Sequence, residues 1–424
     1  MTQLSLVSLL ICTFALLAPA EDWPRFLGPG GAGVSAEQVP VSWSETQNIR
    51  WKKDLPGPGN SSPIVSGGKL FVTCYSGYGM DRRAPGDISK LQRHLICLDA
   101  LSGRQLWERI VIAEHEEDPY RGFITEHGYA SSSPVADGEQ VAVFYGKTGV
   151  IVYDFSGEEL WRKNLGTQST RKRWGSAASP ILYKDLVIVN AAEESAALYA
   201  FDKKTGSPAW KASGNALPMT YGTPRIVSEG GRDSLLLALP NEVWGLNPES
   251  GKLRWLCESP YGGNISPSVV VGGGHAYAFG GFPKKGAIAV KLGGKGDVSA
   301  SHLVWDARHT PYVPTPVYLD GYLFWASRDS FAQCLNARTG EEVFKARLDS
   351  RTDAPRFYAS PVKAGKVIYL VSRNAGTFVL AAGNTFKQLG QNIIASDSSE
   401  FGNSPAISNG ALYLRSNQAI YCIK

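Results

Sequence analysis

The stretch that decides the fold is residues 179–210, SPILYKDLVIVNAAEESAALYAFDKKTGSPAW. It opens with a Ser-Pro pair and a short apolar run. A polar turn at Lys184-Asp185 leads into LVIVN, a small polar tip leads into ALYAF, and the turn from Asp202 to Gly206 brings the chain to Trp210. Four short apolar runs joined by tight turns predict one antiparallel four-stranded sheet. The last turn has the chemistry for it. An Asp or Asn side chain bonds backbone two residues on, and Gly takes the positive φ that closes the hairpin.

The same text recurs in both directions. Ser/Thr-Pro pairs stand at Ser62-Pro63, Ser133-Pro134, Ser179-Pro180, Thr223-Pro224, Ser266-Pro267, Thr315-Pro316, Ser360-Pro361 and Ser404-Pro405. After a first interval of 71 residues, the prolines fall 43 to 49 residues apart. A period in the mid-forties with four strands per unit is the mark of a β-propeller. A Pro that begins the innermost strand loses no ladder bond, because that strand borders the channel. The closing turn recurs as Asp99 to Gly103, Asp154 to Gly157, Asn247 to Gly251 and Asn336 to Gly340. Four residues past each Gly stands a large aromatic: Trp107, Trp161, Trp210, Trp255 and Phe344, with Trp305 in the same place of the fifth unit. These rings are placed to wedge between neighbouring blades.

The unit that begins at Pro405 has room for only three strands before Lys424, whereas NIRWKKDL, residues 48–55, is a strand without a blade. We therefore expect an all-β fold: an eight-bladed β-propeller of four-stranded antiparallel blades, closed by the N-terminal strand around Trp51 joining the last blade. Closure hides sheet edges that would otherwise pair with other chains. Residues 48–424 form the propeller, and 21–47 an extension packed on it. Residues 1–20 are apolar and uncharged and end Ala18-Pro19-Ala20. They read as a secretory signal, so the expected location is periplasmic or extracellular, with no transmembrane span after cleavage.

Beyond residue 20 the chain carries five cysteines, and Cys97, Cys334 and Cys422 share one third-strand position, which suits small core fillers. No CxxC pair or metal-ligand spacing occurs, so no metal is expected. The net charge of +5 is spread along the chain, its densest cluster being Arg171-Lys172-Arg173, and nothing points to nucleic acid. Gly28 to Gly33 fits a GxGxxG pattern, but no strand precedes it and Pro29 interrupts it, so it reads as a turn-rich extension.

Blades such as ALYAFDKKTGSPAW and HLICLDALSGRQLW resemble the pyrroloquinoline-quinone-like (PQQ-like) repeat over about residues 49–424. That repeat is shared by the quinone-dependent alcohol and sugar dehydrogenases and by the non-catalytic propeller subunit of the outer-membrane protein assembly machinery. Uncharacterised exported repeat proteins of the same kind open with text like that from Trp23 to Pro29. For a dehydrogenase the resemblance implies adjacent cysteines over the quinone and a Glu, Asn and Asp around calcium. No cysteines are adjacent here; Glu193, Glu194, Asn241 and Asp329 are the available ligands, and Trp174 could stack on a flat ring.

In a propeller, the segments leading into each blade and the tips between second and third strands share one face. That face is expected to carry His127, Tyr129, Lys147, Arg173, Trp174, Glu193, Glu194, Tyr221, Asn241, Tyr261, Tyr312, Arg328, Asp329, Phe357, Arg373, Asn374, Phe401 and Arg415. The first unit adds two insertions there, 76–93 and 112–130, and long insertions on one face of a repeat array serve either as the binding feature or as a cover. The expectation is a non-catalytic exported propeller that binds a protein partner or a small ligand on this face, with no catalytic residues and no cofactor. The alternative is a dehydrogenase using PQQ and calcium.

Overall fold

The computed structural model describes residues 22–424; the expected signal at 1–20 lies outside them. Eight sheets each contain four antiparallel strands in the order of the repeat. Ile181–Tyr183, Leu186–Ala191, Ala197–Asp202 and Pro208–Ser213 make the blade spelled out by residues 179–210. The last blade takes its outer strand from the other end of the chain. Ile49–Asp54 pairs with Ala419–Ile423, with Trp51 opposite Cys422, and the propeller is closed as expected.

The Ser/Thr of the repeat has a role that its proline obscured. The Ser62 amide donates to the Ser133 hydroxyl at 2.8 Å. Ser133 donates to Ser179 at 2.9 Å, Ser179 to Thr223 at 3.0 Å and Thr223 to Ser268 at 3.0 Å. Ser268 donates to Thr315, Thr315 to Ser360 and Ser360 to Ser404, each at 2.9 Å, and Ser404 returns to Ser62 at 3.1 Å. Each innermost strand begins by lending an amide to the next blade's hydroxyl, so one closed ring of hydrogen bonds girdles the axis. In the fifth blade Ser268, directly after the Ser266-Pro267 marker, fills this place.

The aromatics form a second, outer set of ties. The Trp51 indole N–H donates to Leu101 O at 3.1 Å, Trp107 to Phe155 O at 3.1 Å, Trp161 to Lys203 O at 2.9 Å, Trp210 to Pro248 O at 3.0 Å and Trp305 to Ala337 O at 2.9 Å. Every acceptor lies in the closing turn of the next blade. There the turn glycine lies flat against the ring: a Cβ on Gly206, whose φ is +68°, would stand 2.6 Å from Trp161. The Gly is thus required twice, for φ and for the indole of the blade before it. Across the sheet each aromatic faces a small residue, such as Cys97 opposite Trp107, Ala200 opposite Trp210 and Cys334 opposite Phe344. In the fifth blade Ala289 stands opposite Trp305. The five cysteines of the described residues are all free and buried.

Where the turn is altered, the tie changes. The fifth blade's turn swings outward, and Gly296–Asp297 adds a parallel strand to the outer edge of the fourth blade beside Trp255 and Leu256. Phe344 packs on Phe386 of the seventh blade at 5.8 Å.

Residues 22–47 run across the channel. Trp23 bridges Val65 of the first blade, Ala136 of the second donates to Pro24 O, and Arg25 reaches Pro224 O of the fourth. Val34–Ser35 then pairs in parallel with the innermost strand of the seventh blade. Trp43 and Tyr369 pack at 6.2 Å beside the seam between the seventh and eighth blades. The extension is a plug that closes the channel on the face of the closing turns.

Candidate functional site

With one end of the channel plugged, the other forms a cup of about 140 Å³. Its floor is Phe26 of the extension and its wall is the hydroxyl ring. Those hydroxyls accept from backbone amides, and their own protons have no acceptor among the described residues. The rim is aromatic. Phe123 lies 4.8 Å from Trp174 and 6.2 Å from Tyr358, and Trp174 lies 6.0 Å from Tyr221. No Asp, Glu, Lys or Arg lines the cup.

Phe123 comes from the second insertion, which folds over the mouth on a small core that its Ile124 and Tyr129 share with Tyr78 and Leu91 of the first insertion and with Tyr75. His127 anchors it. A carbonyl can only accept, so Nε2–H donates to Trp174 O at 2.8 Å, and Nδ1 is left to accept from the Ser131 hydroxyl at 2.6 Å. Burial pushes its pKa down to about 4. The imidazole is neutral and both its nitrogens are engaged.

A latch holds the insertion from across the mouth. Arg373 is buried and donates to the Glu126 carboxylate at 2.6 Å and to the Glu400 carboxylate, while its guanidinium stacks 4.6 Å from the Tyr358 ring. A buried cation shared between two carboxylates fixes geometry as well as adding energy. Arg373→Ala is expected to raise amide exchange over residues 122–128 at least about tenfold, the equivalent of about 1.4 kcal/mol of local stability. Unchanged exchange there would mean that the latch does not hold the roof.

Behind the rim lies a second, smaller cavity of about 40 Å³ among buried charges. Arg93 pairs with Glu117 at 2.7 Å, Lys147 lies 3.4 Å from Asp118, and Tyr129 donates to Asp118 O at 2.7 Å. Glu193 accepts from Thr170 at 2.7 Å and from the Met219 amide at 3.3 Å. Glu194 accepts from Ser176 through one oxygen, and its other oxygen is buried without a partner. Burial pushes the Glu194 pKa up to about 7, the Glu193 and Glu117 charges adding to it against the Ser176 bond. The fold therefore favours its neutral form. That contribution is complete below the unfolded value of about 4.5 and is lost as pH rises through about 7. Glu194→Gln should flatten the decline in stability between about pH 4.5 and 7.5, leaving the variant the more stable protein at the upper end by about 2–3 kcal/mol. Denaturant melts with parallel pH dependence in both proteins would contradict this.

Of the expected face residues, the structure brings His127, Trp174 and Tyr221 to the cup, and Tyr129, Lys147, Glu193 and Glu194 to the charged cavity. Arg373 forms the latch. Arg173 is exposed, 3.9 Å from Asp118. Asn241, Arg328, Asp329 and Asn374 are exposed at separate tips, and Tyr261 and Tyr312 are half-buried at the fifth and sixth blades. Phe357, Phe401 and Arg415 lie in the interior rather than on the face: Phe357 packs on Phe378, Phe401 on Tyr421, and Arg415 donates to Ser61 O at 2.8 Å. Phe26, Phe123 and Asn403 were not singled out from sequence. Glu193, Glu194, Asn241 and Asp329 do not converge, and among the described residues no three His, Cys, Asp or Glu side chains are placed to hold a metal ion. No helix among the described residues is long and apolar enough to cross a membrane.

Comparison with known proteins agrees with this architecture. Residues 91–281 match the family model described as outer membrane protein assembly factor BamB. No curated protein matches the chain. BamB from Moraxella catarrhalis superposes with a TM-score of 0.60 at 13% identity, over 89% of this chain and 99% of that one. A quinohemoprotein alcohol dehydrogenase, ADHIIG from Pseudomonas putida HK5, gives 0.52 at 12% identity, over 86% of this chain and 76% of that one. A europium-containing methanol dehydrogenase gives 0.50 at 12%, over 85% and 89%. At such identities these likenesses speak for the fold alone. Repeat, blade topology and comparisons together make the chain an eight-bladed β-propeller whose residues 91–281 are similar to the BamB family.

Proposed function

We propose that this is a non-catalytic exported propeller that takes its ligand at the channel mouth roofed by the first-blade insertions. The occupant is an uncharged ring, free or presented on a loop of a protein partner. The observation that carries this reading is the uncharged cup itself. Aromatic faces and hydroxyl donors meet there without an ionised side chain, and the one imidazole is committed to structure. An aromatic-walled pocket with a few fixed polar groups favours a flat or ring-shaped guest. A cup of about 140 Å³ holds one six-membered ring more readily than a fused tricycle.

The dehydrogenase reading fits these residues poorly. A tricarboxylate quinone beside a divalent cation needs cationic partners and converging acidic ligands, and the cup lining has neither. The five cysteines of the described residues are each buried and unpaired, and none of them forms a disulfide over the cup.

Fluorine NMR on protein labelled with 5-fluorotryptophan tests the binding reading, with the Trp174 signal assigned by Trp174→Phe. Benzyl alcohol or a methyl glucoside should shift that signal saturably. Shifts confined to tryptophans of the outer ties would place binding away from the mouth and overturn the reading.

A further inference from the structure

We propose that Arg25 and Arg225 form an oxyanion site on the face opposite the cup, between the glycine-rich turn of the extension and the fourth blade. Arg25 is buried and donates to Pro224 O at 3.3 Å; Arg225 donates to Gly31 O. The two side chains lie against the same glycine, since a Cβ on Gly31 would stand 3.4 Å from Arg25 Nη2 and 3.7 Å from Arg225 Cδ. Each Nε is buried with no hydrogen-bond partner. No ion pair to a carboxylate is formed by either among the described residues, although Arg373, the arginine of the latch, has two.

An arginine does not escape burial by losing its proton, so paired guanidinium groups without counter-charge need an anion. Both groups register the cost of this arrangement: burial and the Arg225 charge push the Arg25 pKa down to about 9, and burial takes Arg225 to about 10. Planar forks with free N–H groups match the oxygens of phosphate, sulfate or a carboxylate. Gly30, the neighbour of Gly31 in the turn, is exposed, and a Cβ there would meet nothing within 4 Å, so the turn that covers the two arginines is open to solvent on its outer side. The bound anion would tie the extension to the fourth blade. Phe26, the floor of the cup, follows Arg25 directly, so occupancy would steady the cup from below. The site does not depend on what the cup binds.

Thermal melting of the full chain in phosphate, sulfate, acetate and chloride at equal ionic strength tests the proposal, together with calorimetric titration of inorganic phosphate. The expected result is one phosphate per chain and a saturable rise in Tm of about 2–3 °C over chloride. Arg225→Gln and, separately, Arg25→Gln should abolish the rise, and Arg225→Lys should keep only a small part of it. Phenyl phosphate distinguishes the source: binding as tight as phosphate means that the site accepts a phosphate carried on a larger molecule, and binding of inorganic phosphate alone means an enclosed ion; both support the site. Equal melting in all four salts, or a phosphate-induced rise that survives in Arg225→Gln, would overturn it.

Discussion

Removal of residues 22–55 is expected to abolish the folded state. The loss includes the closing strand, whose register sets Ile49 against Ile423, Trp51 against Cys422 and Asp54 against Ala419. It also includes Trp51, whose indole lies on Gly103 and ties the eighth blade to the first. The truncated chain would expose the apolar edge Ala419–Ile423, every residue of which is buried in the closed molecule. Burial of a large aromatic alone contributes about 3–5 kcal/mol, and a sheet edge left open invites pairing with other chains. Together these approach the whole stability of an ordinary domain, about 5–15 kcal/mol. The measurement is a circular-dichroism melt with size-exclusion chromatography. A chain beginning at residue 48, which keeps the closing strand and loses only the plug, should still melt cooperatively at a lower temperature. A monomeric, cooperatively melting chain without residues 22–55 would show that closure is dispensable.

The second large effect is expected at Trp161. Its side chain is 7% exposed, packs on Phe201 at 5.8 Å, and donates to Lys203 O of the next blade at 2.9 Å. Trp161→Ala should cost about 3–5 kcal/mol. Gly206→Ala attacks the same tie from the other side. It should cost about 2–4 kcal/mol, from a left-handed φ of +68° and an overlap with the indole. Because both changes break one contact, the double variant should lose less than the sum of the two. A loss under about 1 kcal/mol for Trp161→Ala in denaturant melts would show that the ring does not hold the blades together.

The fold was legible because its rules are local and repeated. Ser-Pro, the Asp-to-Gly turn and the tryptophan four residues later recur in unit after unit, and the counting of strands at both ends revealed the closure. What was hidden concerns contacts between units. The hydroxyl of Ser179 serves the amide of Ser133, and the glycine at 206 serves the tryptophan at 161. Neither relation follows from the pattern inside one repeat, although the constant hydroxyl before each proline was a signal. Blade five shows the limit of pattern alone, since its ring hydroxyl is Ser268 and not Ser266.

The site was less legible than the fold. His127, Trp174 and Tyr221 could be placed near the mouth because each precedes a blade. Phe123 and Phe26 could not, because their positions depend on how an insertion and a plug fold against distant blades. Buried charge was misplaced for a similar reason. Glu193, Glu194 and Lys147 occupy polar hairpin tips in sequence, yet the insertion covers them, and Arg415 turns inward to Ser61.

Binding at the capped mouth without redox chemistry is tested most directly by an equilibrium titration of the purified protein with PQQ and Ca²⁺, followed by absorbance and by dye-linked oxidation of alcohols and sugars. We predict no stoichiometric uptake and no turnover. One quinone bound per chain, with oxidation of an alcohol or a sugar above the rate of free cofactor, would contradict the account.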